Sequence, residues 1–178
     1  MVRPLLIAAA LLVPAGCGNE RTPAPDVATP VDPVGTREVV LQEARVSFTA
    51  PGNWQALGEI GSRAGGVSSS RASVTVWRYP RSEPLPRTLA ETRRVRDLLV
   101  DRVKQRDASF VLHESRVTRR RIELRGRERI AGIPVEVRSL HLFDRGAEVV
   151  FDAYAPPEHF DRLDRAVFEP LLASVKLG

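Results

Sequence analysis

The sequence is poor in the residues that usually announce chemistry. It holds one cysteine, Cys17, in 178 residues, so no internal disulfide can form. A folded part must rely on an ordinary core, which a chain of this length can build. There are only three histidines, His113, His141 and His159. Their spacing, with Glu114, Asp144 or Glu158 nearby, has no metal-site pattern, and no metal ligand set is read from it. The longest apolar run, residues 5–13, is about half the roughly 20 residues a membrane-spanning helix needs. No G-x-S-x-G, H-E-x-x-H, Walker loop or Rossmann fingerprint is present. The expectation is therefore a protein without cofactor or catalytic residues. Lysine is also scarce, only Lys104 and Lys176, so the net charge of +5 rests on arginine. Alongside abundant Ala, Val and Gly, that reads as codon choice in a GC-rich genome, and a nucleic-acid partner is not inferred from it.

What is present begins with an address. Arg3 followed by the run Leu5-Leu6-Ile7-Ala8-Ala9-Ala10-Leu11-Leu12-Val13 fits the n- and h-regions of a secretory signal. Pro14, Ala15 and Gly16 then break the helix and place small residues before Cys17. The order small-small-Cys resembles the lipobox of bacterial lipoproteins, with Pro14 where leucine is usual. That resemblance implies a signal peptide over residues 1–16 and diacylation of Cys17. Two acyl chains hold a protein to a bilayer stably where one binds reversibly. Loss of Arg3 would lower the charge from +5 to +4. Residues 17–36 carry prolines at 23, 25, 30 and 33 among small and polar residues. This is the composition of an extended tether, about 3.1 Å per residue where polyproline-like.

A single domain is expected over residues 37–178. Val39, Leu41, Val46, Phe48 and Ala50 alternate around a hairpin, and Pro51-Gly52-Asn53 turns the chain into Trp54, a core aromatic. Residues 58–71, rich in glycine and serine, read as a mobile loop. Residues 72–79 read as a strand. Thr88 with Glu91 is a capping box opening a helix to about Gln105, with Val95, Leu98, Leu99 and Val103 on its apolar face. Strands follow over 110–117, 121–130, 133–143 and 147–154, the last two joined at Asp144-Arg145-Gly146, where Gly146 can take positive φ. Apolar groups on both strand faces imply a sheet covered on both sides. Pro156-Pro157 opens a last helix with Phe160, Leu163 and Val167 buried, broken or restarted at Pro170. The fold class is α+β: an antiparallel sheet of about six strands between helices.

Phe48-Thr49-Ala50-Pro51-Gly52-Asn53-Trp54, the glycine-linked hairpin and the closing helix ending in Leu171-Leu172-Ala173-Ser174-Val175-Lys176-Leu177 resemble PsbP-like domains. Lipoproteins of the LpqN and LpqT type carry such a domain behind a lipobox and tether. The resemblance covers about residues 37–177. It implies an α/β/α sandwich used as an accessory or binding module.

One constellation could bind a ligand. Arg119, Arg121, Arg125, Arg127 and Arg129 share parity, opposite Ile122, Leu124 and Ile130. The stripe reads first as a solvated edge strand whose charges prevent edge pairing. Its alternative is a site for anionic lipid or phosphate-bearing wall polymer. His141 shares parity with Val135 and Val137 and is expected in the core with a hydrogen bond; His159 is expected to be solvated. The functional expectation is an exported lipoprotein anchored to the outer face of the membrane. It would act as a non-catalytic binding or assembly module with an envelope-protein partner. An enzyme or lipid carrier is the less favoured alternative.

Overall fold

The computed structural model describes residues 29–178. The signal-like segment, Cys17 and the tether up to residue 28 lie outside the described residues. Alternation builds the strands, which form two antiparallel sheets. A small sheet contains β1 (Thr36–Leu41), β2 (Val46–Pro51) and β10 (Lys176–Leu177), in the order β1-β2-β10. The large sheet contains β3 (Gln55–Leu57), β4 (Arg63–Ser69), β5 (Ala72–Pro80), β6 (Val111–Thr118), β7 (Arg121–Ile130), β8 (Ile133–Asp144) and β9 (Ala147–Ala155). Its order is β3-β4-β5-β9-β8-β7-β6. Seven strands replace the expected six, and the first hairpin leaves the large sheet to pair with β10. The β8–β9 hairpin turns on Arg145 and Gly146, both at positive φ.

The expected loop over 58–71 is largely strand β4. Gly65 and Gly66 sit at φ +143° and +150°, where side-chain residues are strained. A Cβ at Gly66 would lie 2.1 Å from the Val74 carbonyl oxygen. Glycine here permits close strand contact, and flexibility was the wrong inference from its presence.

The large sheet is covered on both faces. On one face, Val74, Val76, Leu140, Phe151 and Ala153 meet the small sheet and the closing helices. Phe48 of β2 meets Phe151 edge-on at 5.5 Å. Trp54 is 2% exposed and packs edge-on against Phe168 at 6.3 Å. The closing segment runs α2 (Pro157–Leu163), a π-helical turn (Asp164–Phe168) and α3 (Glu169–Ala173). Pro170 sits in the first turn of α3, where its missing N–H is tolerated. Arg138 of β8 clamps this segment, donating two hydrogen bonds of 2.7 Å to Asp164 in a buried pair.

The opposite face carries α1 (Leu89–Arg106). Its start is the expected box: the Glu91 N–H donates to Thr88 Oγ1 at 3.2 Å, and the Thr88 N–H donates to Glu91 Oε2 at 3.0 Å. Thr92 and Val100 are buried, with Val95, Leu99 and Val103 packed beside Phe110, Ile122 and Leu124. Leu98, expected on that face, is 58% exposed. Contacts of α1 fall on β6 and β7, at one end of the sheet. The helix therefore leaves much of the β5–β9–β8 part of this face open, although Phe143 of β8 joins its core.

Residues 30–35 are pinned to the domain on the α2 side. The Val31 N–H donates to Ser69 Oγ at 2.9 Å, Asn53 bonds the Val34 N–H and the Asp32 carbonyl, and Arg162 pairs with Asp32.

Candidate functional site

The uncovered half of the α1 face is a cleft of about 510 Å³. Its floor is the β8–β9 hairpin. Strand alternation sends Leu140, Leu142, Val149, Phe151 and Ala153 to the far core, and Ser139, His141, Glu148, Asp152 and Tyr154 into the cleft. One wall is the C-terminal half of α1, from Leu99 to Arg106. Phe110 closes one end, lying on Gly126: a Cβ there would come within 2.8 Å of the Phe110 ring. A second cleft of about 260 Å³, more apolar, shares Arg81, Leu99 and Arg102 and includes the exposed Leu98.

The floor is an ordered set of polar pairs. Glu148 is 2% exposed and is hydrogen-bonded to His141 Nδ1 at 2.7 Å and to Arg81. Burial pulls the Glu148 carboxyl upward, but the bonds from His141 and Arg81 outweigh it and hold it below the usual carboxylate value. Ser139 donates to Asp152 Oδ1 at 2.5 Å. Desolvation raises the Asp152 carboxyl in spite of that bond, and no arginine pairs with it among the described residues. Glu128, 5% exposed, accepts from Arg106 at 2.7 Å; desolvation still raises it. Tyr154 and Tyr79 are also raised, by desolvation first and then by Asp152. Perturbed groups converging in one cavity make this cleft the candidate binding site.

The Ser139 hydroxyl donates to Asp152, and the His141 ring nitrogen Nδ1 is bonded to Glu148. Among the described residues no cluster of three or more His, Cys, Asp or Glu could hold a metal ion.

The arginine stripe lies elsewhere. β7 is flanked by β6 and β8, so it is not the edge strand expected. Arg121, Arg125 and Arg127 point to the α2 face, away from the cleft. Arg121 pairs with Glu123, Arg125 with Asp161 at 2.5 Å while lying over the Phe160 ring, and Arg127 with Glu136 at 2.7 Å. Arg119 donates to the Arg87 carbonyl at 2.7 Å, and Arg129 to the Gly132 carbonyl at 3.1 Å. The five are strung along the strand in separate contacts. His141 is the expected core histidine; His159 is half-buried, and His113 is exposed, 3.5 Å from Glu136. Cys17 lies outside the described residues. The cleft residues were missed in the sequence. The available signal was a polar stripe at 139, 141, 148, 152 and 154 within two otherwise apolar strands.

No family model matches this sequence, and no curated protein matches it. Solved structures do. Cyanobacterial PsbP from Synechocystis superposes with a TM-score of 0.59 at 14% identity, over 83% of this chain and 95% of that one. LpqN of Mycobacterium tuberculosis, described as involved in cell envelope biogenesis, gives 0.48 at 14% identity, over 84% and 89%. A Pseudomonas aeruginosa protein of unknown function gives 0.46 at 15%, over 74% and 90%.

Proposed function

We propose that this chain, whose fold is PsbP-like, is a membrane-tethered, non-catalytic binding module of the bacterial cell envelope, with the α1 cleft as its binding site. The observation that carries the reading is the cleft itself: about 510 Å³, within the usual range for ligand pockets, floored by preordered polar pairs and walled by Leu99 and Val103. Buried polar networks of this kind contribute little net stability, so their concentration in an open cleft argues for recognition. The lipobox-like boundary at Cys17 supports tethering to the outer face of the membrane, with an envelope protein or ligand as partner. Among the described residues no helix is long and apolar enough to cross a membrane. Binding of anionic lipid or wall polymer through Arg119, Arg121, Arg125, Arg127 and Arg129 draws less support, because the five are strung along β7 in separate contacts and line no common cavity.

Photo-crosslinkers placed at Leu98 and Arg102, at the cleft mouth, and at Val40 and Glu43, on the small sheet, test the reading in intact cells. The expected result is discrete adducts from the mouth that a cleft-filling Ser139→Trp removes. Adducts from the small sheet alone would oppose it. Cys17→Ser should abolish acylation and block lipobox-directed cleavage; quantitative release of wild type into the medium with an unmodified N-terminus would refute the anchor.

A further inference from the structure

The charges around the cleft are unevenly arranged. Its two most buried carboxylates are already taken: Glu148 by Arg81 and His141, Glu128 by Arg106. The glutamate side chains are 2% and 6% exposed, whereas those of Arg81 and Arg106 are 34% and 67% exposed. Each ion pair engages one terminal nitrogen of a guanidinium that carries five N–H donors. The glutamates thus hold two guanidiniums from below and leave other donors at the mouth. Arg102 stands one helical turn before Arg106, on the same face of α1. It is exposed and has no hydrogen-bond or ion-pair partner among the described residues. Asp152 lies on the floor, bonded to Ser139, and Glu83 lines the adjoining cleft, so the mouth is marked by free guanidinium donors and not by an excess of positive charge. Arg81 and Arg102 also line the adjoining cleft, so they stand where the two cavities join.

We propose that Arg81, Arg102 and Arg106 form a binding site for a compact anionic group, a phosphate or carboxylate, borne by a small soluble molecule or a lipid headgroup. The inference rests on reading the α1 cleft as the binding site and adds the chemistry of what enters it. Guanidinium forks match the paired oxygens of such groups. Anchoring by buried glutamates lowers the side-chain entropy lost when the ligand binds. The hydroxyl and carboxyl groups of Ser139, Asp152 and Tyr154 are placed to take polar substituents of the ligand's body. This site is on the sheet face opposite Arg121, Arg125 and Arg127.

The test is calorimetric titration of the full chain carrying Cys17→Ser, so that no acyl chain contributes. One arm uses glycerol phosphate, the other vesicles of phosphatidylglycerol against phosphatidylcholine. Arg102→Glu should weaken anion binding by about tenfold or more, the scale of one lost charge-assisted hydrogen bond. Arg102→Lys should fall between wild type and Arg102→Glu, since it keeps the charge but loses the fork. Arg121→Glu, on the other face, should change nothing. Arg102 is exposed, and a circular dichroism melt would show the fold intact. Sensitivity to Arg102→Glu with glycerol phosphate assigns a soluble anion; sensitivity with phosphatidylglycerol alone assigns a headgroup. No anion binding in either arm, or binding unchanged in Arg102→Glu, overturns the proposal. Glycerol and putrescine serve as neutral and cationic probes. Binding of either, blocked by Ser139→Trp, would overturn the anion site and leave the cleft standing. Silence from all probes together with absent crosslinks at the mouth would remove both.

Discussion

Replacing Trp54 by alanine is expected to unfold the protein more readily by about 3–5 kcal/mol, the usual cost of deleting a core aromatic. The residue is 2% exposed, held behind the turn by its N–H to the Pro51 carbonyl, and meets Phe168 edge-on. The cavity would open between the turn and the closing helices, both fixed by other contacts, so collapse around it is limited. For a domain of about 150 residues this lowers Tm by roughly 6–20 °C. Phenylalanine at the same position should behave differently. The Trp54 indole Nε1 is buried with no hydrogen-bond partner among the described residues. Leaving such a group unpaired costs about 1–3 kcal/mol. Trp54→Phe removes that cost while surrendering one ring, and the two changes offset. Trp54→Phe should therefore lie within about 1 kcal/mol of wild type, an offset of apolar loss against polar relief. Urea melts followed by far-ultraviolet dichroism, with an unchanged m-value, measure both. The reasoning fails if Trp54→Ala costs less than about 1 kcal/mol, or if phenylalanine is as damaging as alanine.

Gly66→Ala should destabilise by at least about 2 kcal/mol through backbone strain alone, and its Cβ overlap with the Val74 carbonyl adds to that; a melt equal to wild type would place residues 63–69 outside the sheet. Asp164→Asn should cost about 3–5 kcal/mol, because it leaves the Arg138 guanidinium buried with Glu169 as its remaining acidic partner; thermal melts decide, and a change under about 1 kcal/mol would show that the pair is not desolvated. Asp152→Asn should raise Tm at pH 7 and change it little near pH 4. The folded state raises the Asp152 pKa above its ordinary value of 3.8, so stability is intact below that value and falls as pH climbs through the raised one. A variant less stable than wild type at pH 7 but equal at pH 4 would reverse the sign. Glu148 works the other way: its lowered pKa adds stability above its ordinary value of 4.5, lost as pH falls. Glu148→Gln should therefore narrow its deficit relative to wild type on acidification, read from Tm at pH 7 and pH 4.

Much of the fold was legible because local patterns agreed with it. Thr88 and Glu91 sit three residues apart and cap α1 as such pairs do. The Asp144-Arg145-Gly146 turn and the stripe Phe160, Leu163 and Val167 also carried their structure in short-range order. Where the structure departs, a longer-range fact prevails. Gly65 and Gly66 look like loop residues, yet β4 needs them because Val74 and Leu41 approach too closely for a Cβ. Leu98 obeys helical spacing, but α1 packs mainly on β6 and β7, so the residue lines the second cleft and stays exposed. The arginine parity on β7 was correct. The edge placement was not, since β6 flanks β7 on its outer side, and the acid that holds Arg125 comes from α2, 36 residues away. The cleft itself assembles β5, β7, β8, β9 and α1, and no window of sequence contains it.

The clipping of residues 30–35 to the domain has a mechanical side. A pull arriving from the chain before residue 29 is received at Ser69 of β4, Asn53 beside β2 and Arg162 of α2, three anchors on separate elements. From there tension passes through the far core around Phe48, Phe151 and Phe168 and meets the middle of the large sheet. The α1 layer lies outside this load path. If the chain is tethered as proposed, a tug would strain the α2 side of the domain first, ahead of α1 on the opposite face of the sheet.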